Sequence, residues 1–173
     1  MEIVKGTVND IEELEHLYND LNDYLALHTN YPGWIKGIYP VKETAVLGIE
    51  EKNLYVIRTE KGIAGSVIIN NIPESGYANV DWGIDLDYKN IHVIHTLTVH
   101  PEYLKKGIGK KLMEFIVKYS EELQIKAIRL DVFEKNMPAI SLYKKYGFQY
   151  IDTVDLGYGK YGLDRFELYQ KLL

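Results

Sequence analysis

The sequence predicts a mixed α/β fold in a single domain spanning residues 1–173, and three observations carry that prediction. Two stretches, residues 10–27 and 107–123, repeat apolar side chains at helical spacing. Short β-branched runs bounded by turn formers lie between and after them. Ile91–Val99, the second of these helices and Lys126–Phe133 make a strand–helix–strand unit.

In chain order, Glu2–Lys5 is a short strand candidate. Asn9 can cap the first helix, with Glu12 reaching back as its partner. Ile11, Leu14, Leu17, Tyr18, Leu21 and Leu25 then mark an apolar face. Residues 29–41 hold two prolines, two glycines and several aromatics, including Tyr31, Trp34 and Tyr39, and read as an irregular segment and candidate lid. A short helix is expected at Lys42–Glu50. Leu54–Arg58 and Ala64–Asn70, separated by Glu60-Lys61-Gly62, form a hairpin signature. Asn71–Tyr88 is rich in turn formers around Trp82. In the second long helix Ile108, Leu112, Phe115, Ile116, Tyr119 and Leu123 share one stripe. Lys126–Phe133 is almost continuously apolar, as a buried parallel strand should be. Pro138 and Gly147 bracket a short helix. Phe148–Asp155 and Arg165–Lys171 close the chain as strands.

Composition narrows the functional classes. The apolar fraction of 46% and charged fraction of 26% are those of a globular chain with a substantial core. A formal net charge of −5 argues against nucleic acid as the main partner and mildly favours a cationic substrate. There is no cysteine, which removes disulfides, thiolate metal sites and cysteine nucleophiles. No apolar run approaches the ~20 residues of a membrane span. The first residues lack the apolar core of a signal peptide, so a cytoplasmic protein without a membrane partner is expected. Tyrosine outnumbers phenylalanine 15 to 4, which suits half-exposed sheet faces and pocket linings.

The segment Lys105-Lys106-Gly107-Ile108-Gly109-Lys110 stands between a strong strand and a strong helix. The first turn of a helix offers free N–H donors and the positive end of the dipole, and glycine lets a phosphate approach the backbone. A P-loop is excluded because Leu104 and Lys111 occupy positions it reserves for glycine and a hydroxyl residue. A dinucleotide fingerprint is excluded because Leu112 stands where it needs a third small residue. On these residues alone, a phosphate cradle and a plain strand-to-helix turn with surface lysines fit equally.

Leu97-Thr98-Val99-His100-Pro101-Glu102-Tyr103, followed by this turn, resembles the central motif of the GNAT superfamily of N-acetyltransferases. Asn136-x-x-Ala139-x-x-Leu142-Tyr143-x-x-x-Gly147-Phe148 resembles that family's CoA-proximal motif. The two occur in the family's order, separated by a helix and a strand, and the resemblance covers about residues 54–170. One position departs: Leu104 stands where the family usually has Gln or Arg. Weaker or shifted phosphate contacts are expected there, with Lys105 or Lys106 compensating.

The resemblance implies a central mixed β-sheet flanked by helices and a transferase that moves an acetyl group from acetyl-CoA to a primary amine. Leu97, Thr98 and Val99 would pair their backbone with the pantetheine arm. Lys105, Lys106, Gly107, Ile108, Gly109 and Lys110 would hold the pyrophosphate, and Asn136 would bond near the pantetheine. Tyr143 would protonate the leaving thiolate. Asp131 is the first candidate for the base, a carboxylate inside the apolar run Ile128–Phe133, five residues before the motif asparagine. Each role has a plainer counterpart. Asn136 can be a helix cap, Tyr143 a core residue, and Asp131 a carboxylate paired with Arg129 or a group on another strand. His92 and His95 are further base candidates, but their spacing sends them to opposite faces of a strand, so a shared metal is not expected. Asp81 and Asp85 can line an acceptor pocket beside Trp82, and Tyr31, Trp34 and Tyr39 can close over it. The acceptor is a small-molecule or peptide amine, left open by the sequence, and the C-terminal strands leave a homodimer open. A non-catalytic acyl-CoA-binding or partner-binding module on the same fold is the rival reading.

Overall fold

The computed structural model describes all residues, Met1–Leu173. Its elements, in order, are β1 (Glu2–Lys5), α1 (Ile11–Leu27), α2 (Lys42–Glu50), β2 (Leu54–Thr59), β3 (Gly62–Asn70), β4 (Ile91–Val99), α3 (Ile108–Glu122), β5 (Ala127–Phe133), α4 (Met137–Lys145), β6 (Gln149–Val154) and β7 (Phe166–Leu172). The strands form one seven-stranded sheet ordered β1-β2-β3-β4-β5-β7-β6. Pairing is antiparallel for β1–β2, β2–β3, β5–β7 and β6–β7 and parallel for β4–β5, whose register runs from Ile91↔Ala127 to Ile94↔Leu130. A parallel pair needs a long crossover, and α3 supplies it. This is the mixed α/β fold that the sequence predicts.

Two compact units can be distinguished. The first comprises Met1–Asn30, Trp34–Ile69 and His95–Ile116, and the second Tyr31–Gly33, Asn70–Ile94 and Val117–Leu173.

In the first unit, Leu14, Leu17 and Tyr18 of α1 pack with Ala45 and Ile49 of α2 and with Leu54, Val56, Ile63 and Ile68 of the β2–β3 hairpin. Burying each such side chain contributes about 1.5–3 kcal/mol, which outweighs the helix propensity of α1. The helix start differs from the Asn9–Glu12 expectation. A 3-10 turn, Val8–Asp10, precedes α1, and the Asp10 carboxylate accepts the Thr7 N–H at 2.7 Å. Asp10 also pairs with Arg58 of β2, so one buried carboxylate both caps the turn and ties it to the sheet. Asn9 is exposed and offers no such tie. Gly65 of β3 is required by close approach, since a Cβ there would lie 2.5 Å from the Thr98 carbonyl oxygen. The opening turns of α3 bury Ile108, Leu112, Met113 and Ile116 to 1% exposure or less. Leu123, placed on this stripe by sequence, is 52% exposed because α3 ends at Glu122.

In the second unit, Ile91, Val93, Ala127 and Leu168 form a core with Tyr77 and Trp82. The turn-rich segment before β4 is therefore fixed by two aromatic anchors. Trp82 donates its indole N–H to the Tyr77 carbonyl at 3.2 Å and receives the Arg129 guanidinium on its ring at 4.1 Å. Gln170 of β7 bridges the pair, accepting from Arg129 Nε at 2.9 Å and donating to the Trp82 carbonyl at 3.0 Å. Helix α4 starts at Met137, one residue before the expected Pro138, and Gly147 beyond its end takes φ +81°.

Candidate active site

In the first unit, β4 delivers the chain from Leu97–Val99 into the glycine turn. Thr96 adopts φ +47°, a left-handed conformation that breaks the regular pleat, and its hydroxyl bonds to the Tyr39 phenol. Thr98 is buried and its hydroxyl is used internally, 2.8 Å from Ser66 Oγ. Ser66 Oγ also lies 3.5 Å from the Tyr18 phenol, whose pKa burial pushes up to about 12. Leu97 and Val99 are half-buried. What Leu97–Val99 offer a ligand is therefore backbone and aliphatic surface.

After a 3-10 turn at Pro101–Tyr103, the Leu104 N–H bonds to the Pro101 carbonyl at 3.2 Å. Lys105 takes φ +60° and Gly107 φ +80°. Ile108, 1% exposed, anchors the helix start, and Gly109 and Lys110 complete its first residues. Nothing lies within 4 Å of where a Gly107 Cβ would stand, so the backbone here faces open space. Lys106 lies over the Tyr103 ring at 5.5 Å, and Lys110 pairs with Glu114 at 3.6 Å. Lys105 is exposed. The turn is thus organised by backbone bonds, in which Leu104 takes part as well as any other residue.

The second unit holds Asp131 on β5, Asn136 ahead of α4 and Tyr143 on α4. Asp131 Oδ2 accepts the Tyr77 phenol at 2.7 Å. Tyr143, on α4, is buried and packs against Phe148 with ring centroids 6.0 Å apart. Burial raises the Tyr143 pKa, and the Asp131 charge raises it further. Tyr158, on the connection between β6 and β7, is raised by burial, by Glu74 and by Asp131. One carboxylate is therefore felt by three phenols, all held protonated at neutral pH. Asn136 caps α4, accepting the Ala139 N–H at 3.4 Å, while its own N–H bonds to Phe133 at 2.8 Å.

Asp131 is thus bonded by Tyr77, while Arg129 is held by Gln170, Tyr88 and Trp82. Tyr77, Tyr158 and Ser66 escape sequence reasoning. Tyr77 and Asp131 lie 54 residues apart, and no periodicity marks the segment that contains Tyr77. His92 is engaged in packing. It bonds Ser120 Oγ at 2.7 Å and stacks on Tyr119, and burial brings its pKa down to about 4. Trp82 is buried and lines, with Asp81, Asp85, Tyr88 and Arg129, an open groove of about 580 Å³. In the aromatic segment, Trp34 meets Tyr39 edge-on at 5.6 Å, and Asn22 of α1 donates to the Tyr39 carbonyl at 3.2 Å.

The family sequence model described as "Acetyltransferase (GNAT) family" matches residues 13–148. The chain belongs to this family, whose class is that of acyl-CoA-dependent N-acyltransferases. Among curated relatives, it is 40% identical over 85 residues to the UPF0157 protein YqkA of Bacillus subtilis, covering 48% of this chain and 24% of that protein. It is 37% identical over 73 residues to the spermine/spermidine N(1)-acetyltransferase of the same organism, covering 41% and 48%. The matched regions thus span about half or less of these relatives. A GNAT-family acetyltransferase from Streptococcus agalactiae has the same fold, with a TM-score of 0.80, 19% identity, and coverage of 99% of this chain and 95% of that one. No helix is long and apolar enough to cross a membrane.

Proposed function

We propose that residues 1–173 form one catalytic domain that transfers the acetyl group of acetyl-CoA to a primary amine by direct attack on the thioester. The observation that carries this reading is that one unit holds both a carboxylate on β5, Asp131, bonded by the Tyr77 phenol at 2.7 Å, and the buried phenol Tyr143 of α4, whose pKa is raised by burial and by the Asp131 charge. A primary amine with a pKa of ~10.4 is mostly protonated at neutral pH, a deficit of about 4–5 kcal/mol, so a base is needed. Asp131 takes one proton from the ammonium group. The freed nitrogen bonds to the acetyl carbonyl carbon, the carbon–sulfur bond breaks, and Tyr143 gives its proton to the departing sulfur; the second proton that the nitrogen loses on becoming an amide passes through water to restore the phenol. Acetyl-CoA supplies the activated acyl group.

On the donor side, the backbone of Leu97, Thr98 and Val99 runs along the pantetheine, and Asn136 bonds near it. Residues Lys105 to Lys110 receive the pyrophosphate, Lys106 and Lys110 adding charge beside the backbone donors. The open face at Gly107 and its positive φ support this, because a larger residue would fill that space and strain the turn. The amine acceptor is supported by the net charge of −5 and by similarity to a polyamine acetyltransferase. The test is release of free thiol from acetyl-CoA with polyamines, amino acids, lysine peptides and N-terminal peptides, with product masses read in parallel. Acetylated amine in step with thiol supports transfer. Acetyl-CoA binding without release for every amine favours a binding module on the same fold.

A further inference from the structure

Tyr77 lies outside both sequence motifs, in a 3-10 turn of the irregular segment before β4, yet it is 1% exposed. Its phenol donates to Asp131 Oδ2 at 2.7 Å. Behind it stands a rigid platform. The Trp82 ring lies 5.3 Å from the Tyr77 ring, the Trp82 indole N–H bonds to the Tyr77 carbonyl at 3.2 Å, and Arg129 stacks on Trp82 at 4.1 Å. A core tyrosine needs a partner for its hydroxyl, but that partner need not be a carboxylate on the strand that also faces Tyr143.

We propose that Tyr77 is a positioning residue for Asp131: it commits one carboxylate oxygen and fixes the carboxylate's orientation, so that the other oxygen is held to accept a proton from the amine. The proposal rests on Asp131 being the base. Three phenols that sense this carboxylate come from separate elements: Tyr77 from the 3-10 turn, Tyr143 from α4 and Tyr158 from the β6–β7 connection, with Glu74 acting on Tyr77 and Tyr158. Its register neighbour on β7 is the apolar Leu168. A donor hydrogen bond to the charged form lowers a carboxyl pKa, and the same charge makes the donor phenol harder to ionise. Burial first, and then Asp131, push the Tyr77 phenol up, which agrees in sign.

The test is Tyr77→Phe, read two ways: by the NMR titration of a 13C-labelled Asp131 carboxyl, and by the pH profile of kcat/KM. Loss of a hydrogen bond to a charged group should raise the Asp131 titration by about one unit and carry the acid limb of the profile upward with it. The KM for acetyl-CoA should stay within about twofold, because uniform substrate binding is not touched. Should Tyr77→Phe fold poorly, Trp82→Phe keeps the phenol but removes the indole bond that steadies it, and both readouts should move the same way by less. An Asp131 titration unmoved in the folded variants overturns the proposal. Asp131→Asn separates the two claims: if that variant stays active the base reading fails by itself, while the carboxyl titration still reports whether Tyr77 tunes Asp131.

Discussion

Ser66 and Thr98 bring their hydroxyls within 2.8 Å of each other in the core of the first unit, and the Ser66 N–H donates to the same Thr98 oxygen at 3.2 Å. A strand residue assigned to a ligand thus has its side chain turned inward. Thr98→Val should leave the Ser66 N–H and hydroxyl short of a buried partner and cost about 1–3 kcal/mol of stability. Acetyl-CoA affinity should change by less than about threefold, since only the backbone at 98 would face the donor. Urea unfolding and calorimetric titration of the folded protein measure the two effects.

His92 makes stability depend on pH. Its folded pKa of about 4 lies below the unfolded value near 6.5, so the unfolded chain binds the proton more readily between those values. Stability from neutral His92 is complete above pH ~6.5 and is lost as pH falls through ~4, by about 3 kcal/mol in all. Urea denaturation from pH 7 to 4 should show this decline, and His92→Gln should show a shallower one once its carboxylate background is subtracted.

Gly107 tests the turn. At φ +80° a residue with a Cβ is strained, and a β-branched one most of all. Gly107→Val should cost about 1–2 kcal/mol of stability, and Gly107→Asn less, because asparagine tolerates the left-handed region. The valine should also abolish acetyl-CoA binding by calorimetry. Retained affinity would mean the pyrophosphate lies elsewhere.

Arg129 is 3% exposed and is satisfied by Gln170, Tyr88 and the Trp82 face in place of a carboxylate. Arg129→Ala removes packing and leaves buried acceptors unpaired, so thermal unfolding should register a loss of about 3 kcal/mol. Arg129→Met keeps most of the volume without a buried charge and should cost less.

Much of the fold was legible in the sequence because it rests on local periodicity. The expected bounds of α2 and β4 coincide with those observed, and α1 and β5 begin within one residue of expectation. The capping residue before α1 differs from expectation because the choice between Asn9 and Asp10 is made by Arg58, 48 residues away. For the same reason Asp131 was recognised as a carboxylate in an apolar strand, while its partner Tyr77 was not. His92 and His95 were equal candidates in sequence; the contact with Ser120 on α3 sets His92 apart as a packing residue. Asn136 shows the reverse case, where the cap anticipated from its position is present and the donor-side role remains a proposal.

The most direct measurement for the acid–base account is Tyr143→Phe under single-turnover conditions, with acetyl-CoA affinity measured beside it. The phenol is buried and stays protonated at neutral pH, which suits an acid that acts only when the thiolate forms. The account predicts a fall in kcat of about 100-fold or more with acetyl-CoA affinity within about threefold of the parent. Unchanged turnover in a folded Tyr143→Phe protein would contradict it.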